Sequence, residues 1–431
     1  MTRSTRTITI LCWLAALLDG FDLVVLGTVL PHMLEDPSWH LSGADATQVT
    51  TSGLVGMTIG AITIGAITDR WGRRRVLITA VFLFSLFTLP LALHPGVGWF
   101  IALRFLAGLG LGGALPIGMA LVTEFRGGAR AGSASTTLMT GYHVGAVLTA
   151  VLALYLIAHF GWASMFLIGG VAGLLLVPFL VWRLPESPHY LLNQGRTEEA
   201  HRIAEQWGLS LHDEFDEREK AAHADAESGS VRTLLSPRYR RNTLAIWGTS
   251  FMGLLLVYGL NTWLPQIMRA ADYPMGDSLG FLLVLNVGAV VGLLLAGALA
   301  DRVTPRLAAL LWFVASAVFL ALLAVKMPML ILYLAVFITG VFVFSSQVLI
   351  YAFTAANHPS TVRATAMGLS AGVGRLGAIC GPILAGTLAG AGHAYPWGFF
   401  AFAAVGALGA LIFATSRTLR TTTTVLAAQP A

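Results

Sequence analysis

Two aspartates, Asp19 and Asp22, lie inside the first long apolar run of the chain, residues 8–31. A carboxylate at bilayer depth costs about 2.5–3.5 kcal/mol on insertion scales. Three residues apart on a helix, the two share one face, and acids this close titrate as a coupled pair. Two bases, Arg104 and Arg375, lie inside later apolar runs. Unpaired, the four charges would cost roughly 10–14 kcal/mol, so pairing or a water-filled cavity must offset most of it. The chemistry open to such a set is proton transfer and capture of a charged ligand. Asp22 and Arg104 sit at similar depth and are expected to pair, either permanently or as a pair that opens when an acid takes a proton. No acid of the second half of the chain lies at the depth of Arg375. Its planar fork matches a carboxylate, so Arg375 is expected to hold an anionic ligand; the alternative is a bond to the acids of the first run or to a backbone carbonyl. Tyr142, His143, Tyr258, Asn261, Asn286 and Gln347 lie at comparable depth and complete the candidate binding site, although each is also an ordinary packing residue. Phe21, Trp263 and Phe344 are candidates to face an aromatic ring, with packing as the plainer role.

The elements that must position these groups are membrane helices. Of 431 residues, 56% are hydrophobic and only 11% are charged, against about 25% charged in soluble domains. A span needs about 20 apolar residues. Apolar runs fall near 8–31, 47–68, 76–93, 98–123, 131–158 and 162–183, then near 242–268, 277–300, 306–325, 329–352, 363–390 and 395–415. This predicts an all-α membrane protein of twelve spans, six plus six. Its parts are a first half over 1–183, a polar linker over 184–241 with an amphipathic helix from Thr197 to Trp207, a second half over 242–416, and a tail over 417–431. Arg3 and Arg6 precede a run too long for a signal peptide, so the first span is expected to be retained. Lys and Arg crowd one set of loops, leaving only Arg269 and Lys326 in the other. That places both termini and the linker in the cytoplasm and accounts for the net charge of +5 without a nucleic-acid partner. Cys12 and Cys380 sit in apolar runs and read as packing residues. The scattered histidines lack metal spacing and no phosphate-binding loop is present, so no metal, cofactor or enzyme activity is expected. Gly56 and Gly60, Gly108 to Gly113, and Gly368, Gly372, Gly377 and Gly381 form small-residue faces expected to pack helices closely.

Several segments carry a family pattern. After span two the chain reads Gly65-Ala66-Ile67-Thr68-Asp69-Arg70-Trp71-Gly72-Arg73-Arg74-Arg75, and after span eight a weaker copy reads Gly297-Ala298-Leu299-Ala300-Asp301-Arg302. The first resembles the signature loop of the major facilitator superfamily, and the copy fits that family's two-half repeat. Arg104 to Gly113 with Pro116 resembles its fourth-helix pattern. Pro185-Glu186-Ser187-Pro188, followed by Gly195-Arg196 and Glu199-Ala200, resembles a signature shared by sugar porters and aromatic acid:proton symporters, with His189 in place of the usual arginine. Pro359 with Arg363 and Gly368 resembles the matching stretch of the second half, where Ala356 replaces a common glutamate. Within the superfamily, Asp19-Gly20-Phe21-Asp22 resembles the helix-one motif of the aromatic acid:proton symporters, and Gly374-Arg375-Leu376-Gly377 a further motif of that group.

The resemblance implies a monomeric transporter in the bacterial inner membrane. It would import a small aromatic carboxylate of the benzoate or hydroxybenzoate type with protons, by rocking two halves around a midplane site. Asp19, Asp22 and Arg104 would couple protons. Gly65, Asp69, Arg70, Gly72, Arg73, Arg74, Asp301 and Arg302 would serve the conformational loops. The rival expectations are a proton-coupled exporter of drugs or metabolites and a chemoreceptor for aromatic acids on the same fold.

Overall fold

The computed structural model describes residues 5–37, 39, 41–126, 131–207, 209, 231–358 and 360–418, and among them there is no strand. The helices of the first half are α1 (Thr5–Glu35), α2 (Gly43–Trp71), α3 (Arg73–Thr88), α4 (Val97–Leu111), α5 (Ala114–Arg126), α6 (Ala131–Phe160) and α7 (Ala163–Arg183). Short helices α8 (Pro188–Asn193), α9 (Thr197–Trp207) and α10 (Val231–Leu234) follow. The second half holds α11 (Arg240–Ala270), α12 (Met275–Arg302), α13 (Pro305–Leu322), α14 (Met329–Asn357), α15 (Ser360–Gly390) and α16 (Trp397–Ala414). The amphipathic helix expected over 197–207 is α9, whose Ala200, Ala204 and Trp207 are buried. Most of the polar stretch beyond it lies outside the described residues.

Among the described residues, eleven helical segments are long and apolar enough to cross a membrane, one fewer than the apolar runs suggested. The twelfth run, 47–68, lies on α2, which is 29 residues long, opens with the polar sequence Gly43 to Ser52, and has part of its later turns outside the described set. Its hydroxyls are turned back on its own backbone. Thr47, Thr50, Thr51, Thr58 and Thr68 each donate to a carbonyl four residues earlier, at 2.6–2.9 Å. Such back-bonding hides the polar groups from their surroundings. The single run at 98–123 is interrupted at Gly112–Gly113, so α4 and α5 are separate helices end to end.

The first seven helices pack chiefly on one another, as do α11 to α16, and the two groups meet along α1 with α11, α2 with α15, and α6 with α12. Helices α1 and α11 run side by side, and an ion pair of 2.5 Å joins their ends, Glu35 to Arg269. Their starting ends therefore share the opposite face. There Arg241, at the start of α11, donates to the Thr415 carbonyl beyond α16, which brings the chain termini to that face.

The core divides unevenly along this axis. Away from the termini, one apolar cluster joins both groups, with Leu23, Val24, Leu30, Ala46 and Ala146 packed among Leu255 to Met268 and Phe281 to Leu285. Toward the termini each group has a core of its own, one around Ile8, Leu77, Leu121 and Phe125, the other around Trp312, Phe353 and Phe413. The glycines of α15 follow the same division. Gly377 and Gly381 lie against the Phe251 and Leu255 carbonyls of α11, but Gly368 and Gly372, also expected to pack closely, face open space. Among the described residues, the two groups thus share an apolar core at the end away from the termini and have separate cores at the terminal end.

Candidate functional site

The helix-one motif is held by its glycine. A Cβ at Gly20 would stand 1.8 Å from the Tyr142 carbonyl oxygen, so only glycine lets α1 lie this close to α6. The crossing fixes both aspartates beside Tyr142. Phe21 packs on Gly169 of α7, within the apolar cluster of Phe100 and Phe166. Asp22 meets Arg104 of α4 through two hydrogen bonds, Nη1 to Oδ1 at 2.5 Å and Nη2 to Oδ2 at 3.2 Å. The pair is buried, at 5% and 3% exposure. Gly53 of α2 leaves room for the guanidinium; a Cβ there would sit 3.0 Å from Nη2.

Asp19 has no such partner. It is 3% exposed, and its Oδ1 is buried without a hydrogen bond. A narrow cavity joins it to the ion pair, lined also by Thr50, Tyr142, Tyr258 and Thr262. Arg375 interacts electrostatically with Asp19 from the other group of helices, and with the phenols of Tyr258, Tyr142 and Tyr351. It is half-buried and makes no hydrogen bond or ion pair with any described residue. A guanidinium and a carboxyl thus lie within electrostatic range across the junction of the two groups, with no salt bridge between them.

The remaining candidates separate. Gln347 is 5% exposed and donates to Ser250 at 3.3 Å; Ser250 in turn bonds Ser370 of α15 at 2.6 Å, and the Gln347 Oε1 is left without a partner. Asn286 Nδ2 donates to Asn261 Oδ1 at 3.0 Å and to the Leu282 carbonyl, and Asn261 Nδ2 donates to the Val257 carbonyl at 3.2 Å, so the two clip α11 to α12 and do not line the cavity at Asp19. His143 packs its ring edge-on against Tyr142 and hydrogen-bonds no described residue. Trp263 and Phe344 belong to the shared apolar core. Tyr351, Thr50 and Thr262 were not singled out from sequence. Tyr351 had a usable signal, since it lies one turn beyond Gln347 on α14.

At the terminal face the signature loop and the Pro-Glu-Ser-Pro segment dock together. Gly72 has φ +92°, and a Cβ there would strike the Glu186 carboxylate. Glu186 accepts from the Arg74 backbone N–H at 3.0 Å, Ser187 donates to Glu124 at 2.6 Å, and Arg73 pairs with Glu124. Tyr190 donates to the Arg70 carbonyl at 3.0 Å. The side chains of Gly65, Asp69, Asp301 and Arg302 lie outside the described set. In the second half the bases cap carbonyls. Arg306 donates to Ser416 and Ala414, and Asn242 and Asn357 to the Arg417 carbonyl. Cations at a helix C-terminus complement its dipole. Among the described residues no three His, Cys, Asp or Glu side chains gather as metal ligands.

The sequence profile of the Major Facilitator Superfamily matches residues 12–307 and 277–429. The chain is 34% identical over 393 residues to the gallate transporter of Pseudomonas putida, covering 90% of this chain and 86% of that one. It is 35% identical over 381 residues to the gentisate transporter of Corynebacterium glutamicum, covering 87% and 79%. It is 33% identical over 386 residues to the benzoate transport protein of Acinetobacter baylyi, covering 88% and 82%. Among solved structures it is similar in fold to the xylose transporter XylE from E. coli in an inward open conformation, with a TM-score of 0.77 at 18% identity over 97% and 98% of the two chains.

Proposed function

From the premise that the chain belongs to the Major Facilitator Superfamily, we propose that it imports a small aromatic carboxylate together with one or more protons by alternating access. The observation that carries this reading is the unclosed pair of Arg375 and Asp19. A free guanidinium at the junction suits a carboxylate, whose two oxygens its fork can hold. A buried, unpartnered carboxyl beside it suits a proton.

In the working cycle, the site faces out, Asp19 takes a proton, and the substrate carboxylate settles on Arg375. The phenols of Tyr142, Tyr258 and Tyr351, within electrostatic range of the guanidinium, supply donors and aromatic surface for the bound acid. With both charges neutralised, the two halves, 1–183 and 242–416, close over the site and rock. Opening toward the termini releases the substrate and then the proton. Asp22 and Arg104 hold the position of α1 and share the proton load through the common cavity. The shared core away from the termini and the separate cores toward them support a releasing, inward-facing arrangement when both termini are cytoplasmic. The crowding of Lys and Arg on the terminal loops supports that orientation in an inner membrane, with α2 as the twelfth span. The relatives that transport gallate, gentisate and benzoate support the aromatic acid as substrate class.

The test is uptake of labelled gallate, gentisate, benzoate and 4-hydroxybenzoate into proteoliposomes with an imposed inward proton gradient. Accumulation that a protonophore abolishes is expected for at least one of them. Uptake that ignores the gradient, or movement only outward, refutes the reading. Arg375→Ala is expected to abolish saturable uptake, and unchanged substrate affinity in that variant removes the carboxylate clamp.

A further inference from the structure

A second site lies on the outer surface of the first half. Leu14, Leu17 and Leu18 of α1 and Ala172, Leu175, Leu176 and Phe179 of α7 wall an open groove of about 240 Å³, almost wholly apolar. On α7 the row can be followed toward the terminal face. Ala172, Leu176, Phe179 and Arg183 follow at spacings of four, three and four, so the groove ends, at the terminal face, on an arginine of the same helix face. Arg183 is exposed, and its guanidinium stacks over the Trp182 ring at 3.8 Å. Trp182 is itself 71% exposed, as a residue at headgroup depth is expected to be. Arg74 adds a second cation, donating to the Val181 carbonyl at 2.5 Å beside the last turn of α7. The nearest acid in sequence, Glu186, is already engaged by the backbone N–H groups of Arg74 and Ser187.

We propose that this groove is a binding site for one anionic phospholipid, with an acyl chain between α1 and α7 and the phosphate on Arg183. The geometry selects on two chemistries at once. The apolar trough takes the hydrocarbon, and the stacked guanidinium at its mouth takes the negative headgroup. A zwitterionic lipid fits the trough equally well but gains less at the mouth. A soluble phosphate gains at the mouth but leaves the trough empty.

The experiment uses the full chain reconstituted in vesicles of equal phosphatidylglycerol and phosphatidylcholine, re-extracted into detergent, with retained lipid counted by native mass spectrometry. Phosphatidylglycerol is expected to be retained about fivefold over phosphatidylcholine, the weight of one arginine at a membrane surface. Arg183→Gln is expected to bring the two lipids to parity and Arg183→Lys to keep most of the preference. Ala172→Trp, which fills the trough, is expected to lose both lipids. Both positions, 172 and 183, are exposed, so the fold is spared. Equal retention of the two lipids by the unmodified chain marks an ordinary annular lipid and overturns the proposal. So does a preference that survives Arg183→Gln, or one that soluble glycerol phosphate displaces while Ala172→Trp changes nothing.

Discussion

Replacing Asp22 with asparagine strands a charge. The carboxylate and the Arg104 guanidinium are 5% and 3% exposed and joined by contacts of 2.5 and 3.2 Å, with Gly53 packed against the guanidinium. The variant leaves the arginine charged, buried and without its counter-ion. Breaking one member of such a pair costs about 3–5 kcal/mol, whereas removing both together is often near neutral. Arg104→Gln strands the carboxylate instead and falls in the same range. The double variant Asp22→Asn/Arg104→Gln is therefore expected to cost no more than either single one. That is a coupling of at least about 3 kcal/mol, well beyond the roughly 0.3–0.5 kcal/mol scatter of independent sites. The assay is denaturant unfolding of the parent and the three variants in one detergent, followed by tryptophan fluorescence. Additivity within about 0.5 kcal/mol refutes the reasoning, because it means the pair is solvated or absent in the folded protein. The same proteins in proteoliposomes separate structure from coupling. The double variant is expected to exchange labelled substrate across the membrane while failing to accumulate it on a proton gradient.

Gly20→Ala leaves every charge in place but drives a methyl group into the Tyr142 carbonyl, so it is expected to destabilise the chain by about 1–3 kcal/mol and to abolish uptake; normal uptake would separate the helix crossing from function. Glu124→Ala removes the acid shared by Arg73 and Ser187 and is expected to loosen the terminal-face loop, read as faster proteolysis between residues 72 and 187. Burial holds the His358 imidazole below its ordinary value of about 6.5, with the Arg363 charge acting in the same direction and the Thr354 carbonyl against it. The unfolded chain then takes up the proton first as pH falls, so stability is full above about pH 6.5 and declines below it, and His358→Gln is expected to flatten that slope in pH-dependent melting.

Apolarity is a linear property, and so the spans were legible from the sequence to within a few residues. The helices extend past their apolar runs, as α1 does from Thr5 to Glu35, because a helix continues into the polar face once it has begun. The run at 47–68 was legible despite its serines and threonines, and what only the helix brings about is the turning of their hydroxyls onto its own backbone. The four buried charges were equally visible, since charge inside an apolar run is rare. Their partnering was legible only in part. Asp22 and Arg104 shared a depth, but nothing in the spacing says that Asn261 and Asn286 close on each other, or that Tyr351 lies within the field of Arg375. Such pairings depend on helix rotation, which is set by contacts such as Gly20 on Tyr142 between residues far apart in the chain. The break at Gly112–Gly113 and the open space at Gly368 and Gly372 show the same limit. A row of glycines permits close approach, and the neighbour decides whether it happens.

The close crossing at Gly20 has a mechanical meaning. It ties Asp19 to α6 as one body, while Arg375 belongs to α15 in the opposing group, whose own glycines Gly377 and Gly381 bind it to α11. The two charges are therefore mounted like the plates of a small capacitor on two stiff frames. Any rocking of one frame on the other changes the plate spacing and does electrical work on whatever lies between. A bound anion and a proton discharge the plates, and an empty site leaves them charged. In this reading, motion and electrostatics are a single coordinate, which gives the protein a physical reason to move most freely when the site is loaded with both ions.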